Sequence, residues 1–149
     1  MRPTLAVVLL AILLTLSGCS TPAPQATSKQ GTIEISGPAT TLSKHPLAKY
    51  IELAGFRLTE SKPGQLDVKF VAVNHSEAEL PDLGLTIRLR TTASKPEDPA
   101  VAEFQAKVPA LSPLEIHDVS AKVITKLRIY ELPDWQFLRA EFDITSPAP

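Results

Sequence analysis

Four stretches of this chain alternate apolar and polar residues with a period of two, and each keeps a single apolar face. Leu66, Val68, Phe70 and Ala72 alternate with Asp67, Lys69, Val71 and Val73. Leu83, Leu85, Ile87 and Leu89 alternate with Gly84, Thr86, Arg88 and Arg90. Ala102, Phe104, Ala106 and Val108 alternate with Glu103, Gln105 and Lys107, and Leu138, Ala140, Phe142 and Ile144 with Arg139, Glu141 and Asp143. Successive side chains of an extended chain point to opposite sides, so each stretch is a strand with one buried face. That is the signature of antiparallel sheets packed through one side. The polar face of the first stretch turns apolar at Val71, which places that strand centrally.

Turn chemistry separates the strands: Lys62-Pro63-Gly64, Asn74-His75-Ser76-Glu77, Lys95-Pro96-Glu97-Asp98-Pro99, Leu111-Ser112-Pro113 and Leu132-Pro133-Asp134. Two segments admit either helix or strand. Pro46 to Ala54 fits a helix ended by Gly55; it also fits a strand from Tyr50 to Thr59 whose apolar face shifts to Phe56 and Leu58 across a bulge at Ala54-Gly55. The continuation Phe56-Arg57-Leu58-Thr59 favours the strand. In His117 to Leu127, Val119, Ala121 and Val123 alternate, and we read it as strand. About seven strands over residues 46–146 predict an all-β, immunoglobulin-like antiparallel sandwich, followed by a disordered tail at 147–149.

Ahead of this domain, Met1-Arg2-Pro3-Thr4 precedes an apolar run from Leu5 to Leu16 broken only by Thr15. A membrane-spanning helix needs about 20 apolar residues. This run has the length of a signal-peptide apolar region. It ends in Leu16-Ser17-Gly18-Cys19, and Cys19 is the only cysteine. The segment resembles the lipobox of bacterial lipoproteins. The resemblance implies a signal peptide over residues 1–18, cleavage between Gly18 and Cys19, and acyl chains on the Cys19 sulfur and its new amino group. Each buried methylene contributes about 0.8 kcal/mol, and two or more chains hold a protein stably in a bilayer. Ser20 follows; in this family a residue other than aspartate there implies the outer membrane, facing the periplasm, where the cell has two membranes. Residues 19–45 are then the lipidated cysteine and a flexible tether, with a short strand over 32–36. Ser20 to Gly31 holds no large apolar residue, and Pro22 and Pro24 oppose helix.

A second resemblance rests on Val71-Ala72-Val73-Asn74-His75-Ser76 followed by Leu83 to Leu89. This looks like the strand–turn–strand of fibronectin-III-like and FxLYD-type envelope modules, in which an Asn-x-Ser turn joins two hydrophobic strands. Leu111-Ser112-Pro113-Leu114-Glu115 sits where those modules carry a Pro-Gly turn. Ile87-Arg88-Leu89-Arg90 takes the place of the name-giving run. Such modules are mostly not enzymes.

Candidate chemistry is sparse. Charges of both signs are interspersed with a net charge of −1, which gives no electrostatic case for nucleic acid or anionic lipid. A single cysteine permits no internal disulfide. His45, His75 and His117 lack metal-ligand spacing and read as exposed turn histidines. Asn74-His75-Ser76 is a formal glycosylation sequon that reads better as a turn. Glu77, Glu79 and Asp82 lack the spacing of a calcium loop. Glycine-rich phosphate loops, nucleophile elbows and zinc-protease motifs are absent from the sequence. The candidate binding residues are Arg88 and Arg90, which share an outer strand face, and Trp135, the sole tryptophan. A tryptophan in this position more often closes a sandwich core. The expectation is therefore a membrane-anchored, non-enzymatic envelope lipoprotein without cofactor. Its partners would be membrane lipid, through acylated Cys19, and an unknown envelope protein. The alternative is a small-ligand carrier with a pocket between the sheets.

Overall fold

The computed structural model describes residues 31–149. The expected signal peptide 1–18, Cys19 and the tether up to residue 30 lie outside the described residues. Eight strands follow one another: β1 Thr32–Ile35, β2 Thr40–Thr41, β3 Ile51–Lys62, β4 Gln65–Asn74, β5 Leu83–Thr91, β6 Ala102–Val108, β7 Ile116–Ile124 and β8 Leu138–Ser146. They form two four-stranded sheets, ordered β1-β3-β4-β7 and β2-β8-β5-β6. All neighbours are antiparallel except β2, which runs parallel to β8. The chain is an all-β sandwich, as the alternation predicts. Six of the eight strands lie within residues 46–146, against about seven expected there, and β1 and β2 add one strand to each sheet from the segment before it.

The four alternating stretches become β4, β5, β6 and β8, and their apolar faces meet in one core. Phe56 and Phe70 stack within it, ring centroids 4.9 Å apart. β4 is central in its sheet, paired by β3 and β7, and Val71 and Val73 on its outer face are half-buried.

Both ambiguous segments are strand. Pro46–Lys49 forms only a short 3-10 turn, and β3 begins at Ile51. Its buried residues are Ile51 and Leu53, then Phe56 and Leu58, so the inward face changes parity. The change occurs at a register shift between Ala54 and Arg57, where Gly55 has φ +66°. Glycine takes that left-handed conformation without a Cβ penalty, so the bulge sits on the residue best able to make it. β7 buries Val119 and Val123 and leaves Ala121 half-buried.

The sandwich reaches further toward the N-terminus than residue 46. β1 pairs with β3, Ile35 enters the core, and β2 pairs with β8 at Glu141 and Phe142. Residues 32–41 thus contribute a strand to each sheet. Thr32 is separated from Cys19 by only twelve residues, 20–31.

These faces carry a testable contrast. Phe70→Ala and Phe142→Ala should each destabilise the chain by about 3–5 kcal/mol, as truncation of a buried Phe does. Lys69→Ala, on the exposed side of β4, should change stability by less than about 0.5 kcal/mol. Urea denaturation of the three variants measures the difference. Sensitivity at Lys69 rather than Phe70 would mean a strand register off by one.

Candidate functional site

The candidate arginines lie on the outer face of the β5–β6–β8 sheet. Arg88 donates from Nε to Glu103 of β6 at 2.7 Å and from Nη1 to Asp143 of β8 at 2.6 Å. These cross-strand bonds to two carboxylates raise its pKa further. Arg90 sits opposite Arg139 in the ladder, and like charges so placed repel. Glu141 stands between them, with Oε2 3.1 Å from Arg90 Nε and Oε1 3.0 Å from Arg139 Nε. Arg90 also donates from Nη1 to the carbonyls of Lys95 and Asp98, holding the β5–β6 loop. The structure therefore brings Arg88 and Arg90 onto one face, as the alternation implies, but ties both to groups of their own sheet.

Alternation places Glu141 in solvent. It is instead buried, its side chain only 9% exposed, because two flanking guanidiniums and parallel β2 cover it. His45 likewise departs from the exposed-turn reading. It is buried, and its Nδ1 accepts the Leu47 amide at the head of the 3-10 turn. His75 and His117 do lie partly in solvent, each beside a carboxylate, Glu52 and Glu115 respectively. Among the described residues, no group of three His, Cys, Asp or Glu side chains is placed to hold a metal.

Asn74 is the polar residue most completely withdrawn from solvent. Its amide nitrogen donates to the carbonyls of Ala78 at 2.8 Å, Ser112 at 2.9 Å and Leu111 at 3.3 Å. Its oxygen accepts from the backbone N–H and the hydroxyl of Ser76, both at 2.8 Å. The turn reading of the sequon is therefore right in kind, and the side chain reaches further: it joins the β4–β5 connection to the β6–β7 connection. Leu80 and Leu111 exchange two backbone bonds of 2.9 Å between the same connections, and Asp82 accepts the Ala110 amide at 2.7 Å. Next to this knot, Leu114 has φ +59° in a Ser112–Glu115 turn, the slot a glycine usually fills. Glu115 accepts the Ser112 amide, which is the main reason its carboxyl is held below the ordinary carboxylate value.

The opposite end of the sandwich is covered by residues 125–137, which run from β7 to β8. The Thr125 amide donates to the Gly64 carbonyl in the β3–β4 turn. Arg128 makes a bidentate pair with Glu60 of β3, and this hydrogen bonding holds the Glu60 carboxyl below its usual value. Ile129 and Leu132 are buried, whereas Tyr130, Trp135 and Phe137 are 74%, 52% and 51% exposed. Trp135 occupies a 3-10 turn, Trp135–Phe137, and lines a shallow cleft with Thr32, Glu34 and Ser36 of the β1 region. It does not close the core. Leu132 and Ile129 do that, so the tryptophan is left on the surface. Tyr130 and Phe137 were not legible as companions of Trp135, because this connection has no periodicity to show which side chains point inward.

The larger depressions are superficial. One of about 450 Å³ lies along Leu83, Gly84, Lys107 and Val108, and another of about 470 Å³ lies between Tyr50 and the 76–80 loop. Neither opens between the two sheets, whose facing side chains form one apolar core. Comparison with known protein families, curated proteins and solved structures gives no match for this chain.

The two polar assemblies can be ranked by substitution. Asn74→Ala leaves several buried groups without partners and should cost at least about 2 kcal/mol. Glu141→Ala leaves the mostly buried Arg90 guanidinium beside Arg139 without its carboxylate and should cost about 1–3 kcal/mol. Thermal or urea unfolding checks both; a loss below about 0.5 kcal/mol at either site would show that solvent already satisfies those groups.

Proposed function

We propose that this chain is a lipid-anchored protein of the bacterial cell envelope, held by acylated Cys19, whose sandwich serves as a non-catalytic binding or assembly-support domain. In a cell with two membranes it would occupy the outer membrane and face the periplasm. The observation that carries the reading is the sole cysteine at the end of Leu16-Ser17-Gly18, behind an apolar run too short to span a bilayer comfortably. The position of β1 fits it: the first strand among the described residues begins at Thr32, with twelve residues between it and Cys19, so the sandwich would hang close to the lipid. The pairing of Arg88 and Arg90 within their sheet fits a scaffold better than a site that captures an anion. The FxLYD-like resemblance points to the same class of envelope module. A partner protein in the envelope is part of the proposal. A small-ligand carrier is the weaker reading, because the facing side chains form one apolar core and the larger depressions lie outside it.

Cys19→Ala should abolish metabolic labelling with palmitate and move the protein from the membrane to the soluble fraction. Continued labelling, or retention that resists carbonate extraction, would contradict the anchor.

A further inference from the structure

The aromatic residues of this domain fall into two groups, with Tyr50, 36% exposed at the Asn74 end, standing apart from both. Phe56, Phe70, Phe104 and Phe142, all on strands, are buried. Tyr130, Trp135 and Phe137, all in the 125–137 connection, are half or more exposed, and Ile124 at the end of β7 is 80% exposed beside them in sequence. Single exposed apolar residues are ordinary; three exposed aromatics on one connection, with Ile129 and Leu132 buried beside them, concentrate apolar area where a partner can cover it.

The path of the chain indicates what covers it. Gly31, the first described residue, passes so close to Ile129 that a Cβ on it would lie 2.8 Å from the Ile129 Cγ2. The tether therefore meets the domain at this connection, between Arg128 and Tyr130 in the sequence. Eleven residues, 20–30, separate Gly31 from Cys19. Such a segment reaches at most about 40 Å. Strands of nine or ten residues put the Asn74 end about 30 Å further away. Tyr50, Leu114 and Ile116 are exposed at that far end, but contact from there would use most of the full extension of residues 20–30, whereas the 125–137 connection lies where the chain enters the domain. The tether presents the aromatic end to the bilayer at high effective concentration, so a weak intrinsic affinity suffices.

Charge narrows the surface. Lys126 and Arg128 are balanced on this connection by Glu131 and Asp134, and Arg128 is paired with Glu60. There is no polybasic patch to favour anionic headgroups. Tyr and Trp, with an apolar body and a polar tip, suit the headgroup layer of a bilayer.

Resting on the lipid anchor at Cys19, we propose that the 125–137 connection is a membrane-contact surface: Tyr130, Trp135 and Phe137 insert into the headgroup region of the zwitterionic bilayer that holds the acyl chains. The sandwich then lies with its Asn74 end away from the membrane, offered to the envelope.

Trp135 is the only tryptophan and reports this contact directly. The acylated mature chain is reconstituted into phosphatidylcholine or phosphatidylethanolamine vesicles, and flotation verifies anchoring. Its fluorescence is compared with that of the Cys19→Ala chain free in buffer. Docking predicts an emission shift to shorter wavelength and quenching by lipids brominated near the headgroup. Tyr130→Ser with Phe137→Ser should still float, with quenching reduced toward the free-chain level. Flotation with Trp135 emission and quenching unchanged from the free chain would overturn the docking while leaving the anchor intact. A blue shift that rises with protein density and is insensitive to brominated lipid would assign the surface to a second copy and also overturn it. Failure to float would remove the anchor and the docking together.

Discussion

The Asn74 side chain fixes how the two sheets of this protein stand against one another. The sheets share no backbone ladder; what joins them is an apolar core and the connections that cross between them. A core of aliphatic side chains sets the spacing of two layers but is permissive about small slides, since hydrophobic burial has no direction. Hydrogen bonds do have direction. One carboxamide donates to carbonyls of both the β4–β5 and β6–β7 connections and accepts two bonds from Ser76. Leu80 and Leu111 then close a short bridge between the same connections. In a medium from which water is excluded, each of these bonds is expensive to leave unmade. The knot also holds Leu114 in a left-handed conformation that it would otherwise avoid.

The two ends of the sandwich consequently have different characters. At the Asn74 end, polar groups from distant parts of the chain satisfy one another. At the other end, the 125–137 connection makes local turns: the Arg128 amide donates to the Glu131 carboxylate, the Glu131 amide donates back to the Arg128 carbonyl, and the Phe137 amide donates to Asp134. Its attachments to the body are the Arg128–Glu60 pair, a few backbone bonds, and two buried apolar side chains. A surface held this way can adjust to a soft partner at little cost to the fold. That suits a bilayer face, and the locked end suits a partner that requires a defined shape.

Much of the architecture was legible because alternation is a local signal with a direct geometric meaning. The faces of β4, β5 and β6 follow from period two alone, and the Ala54-Gly55 bulge from the change of parity between Leu53 and Phe56. Residues of the site were less legible, because their roles depend on contacts remote in sequence. Nothing near Glu141 says that Arg90, about fifty positions earlier, will share its cover. Asn74 reads as a turn former, but its bonds to Leu111 and Ser112 belong to another connection. Trp135 was judged by its position before the last strand, and that position does not tell whether Leu132 or the tryptophan fills the core. β1 was legible as a short strand over 32–36 but was assigned to the tether rather than to the sandwich, and β2, two residues long, is too short to show a period.

The central claim, a sandwich locked at one end and adaptable at the other, is tested most directly by native-state hydrogen exchange on the mature chain. The amides of Ser76, Leu80 and Leu111 should exchange only through global unfolding, with protection equal to that of the β4 and β5 core. The amides of Leu127, Glu131 and Phe137 should exchange through local opening, at markedly lower protection. Equal protection at the two ends, or faster exchange at Ser76 and Leu111 than at Glu131, would contradict the account.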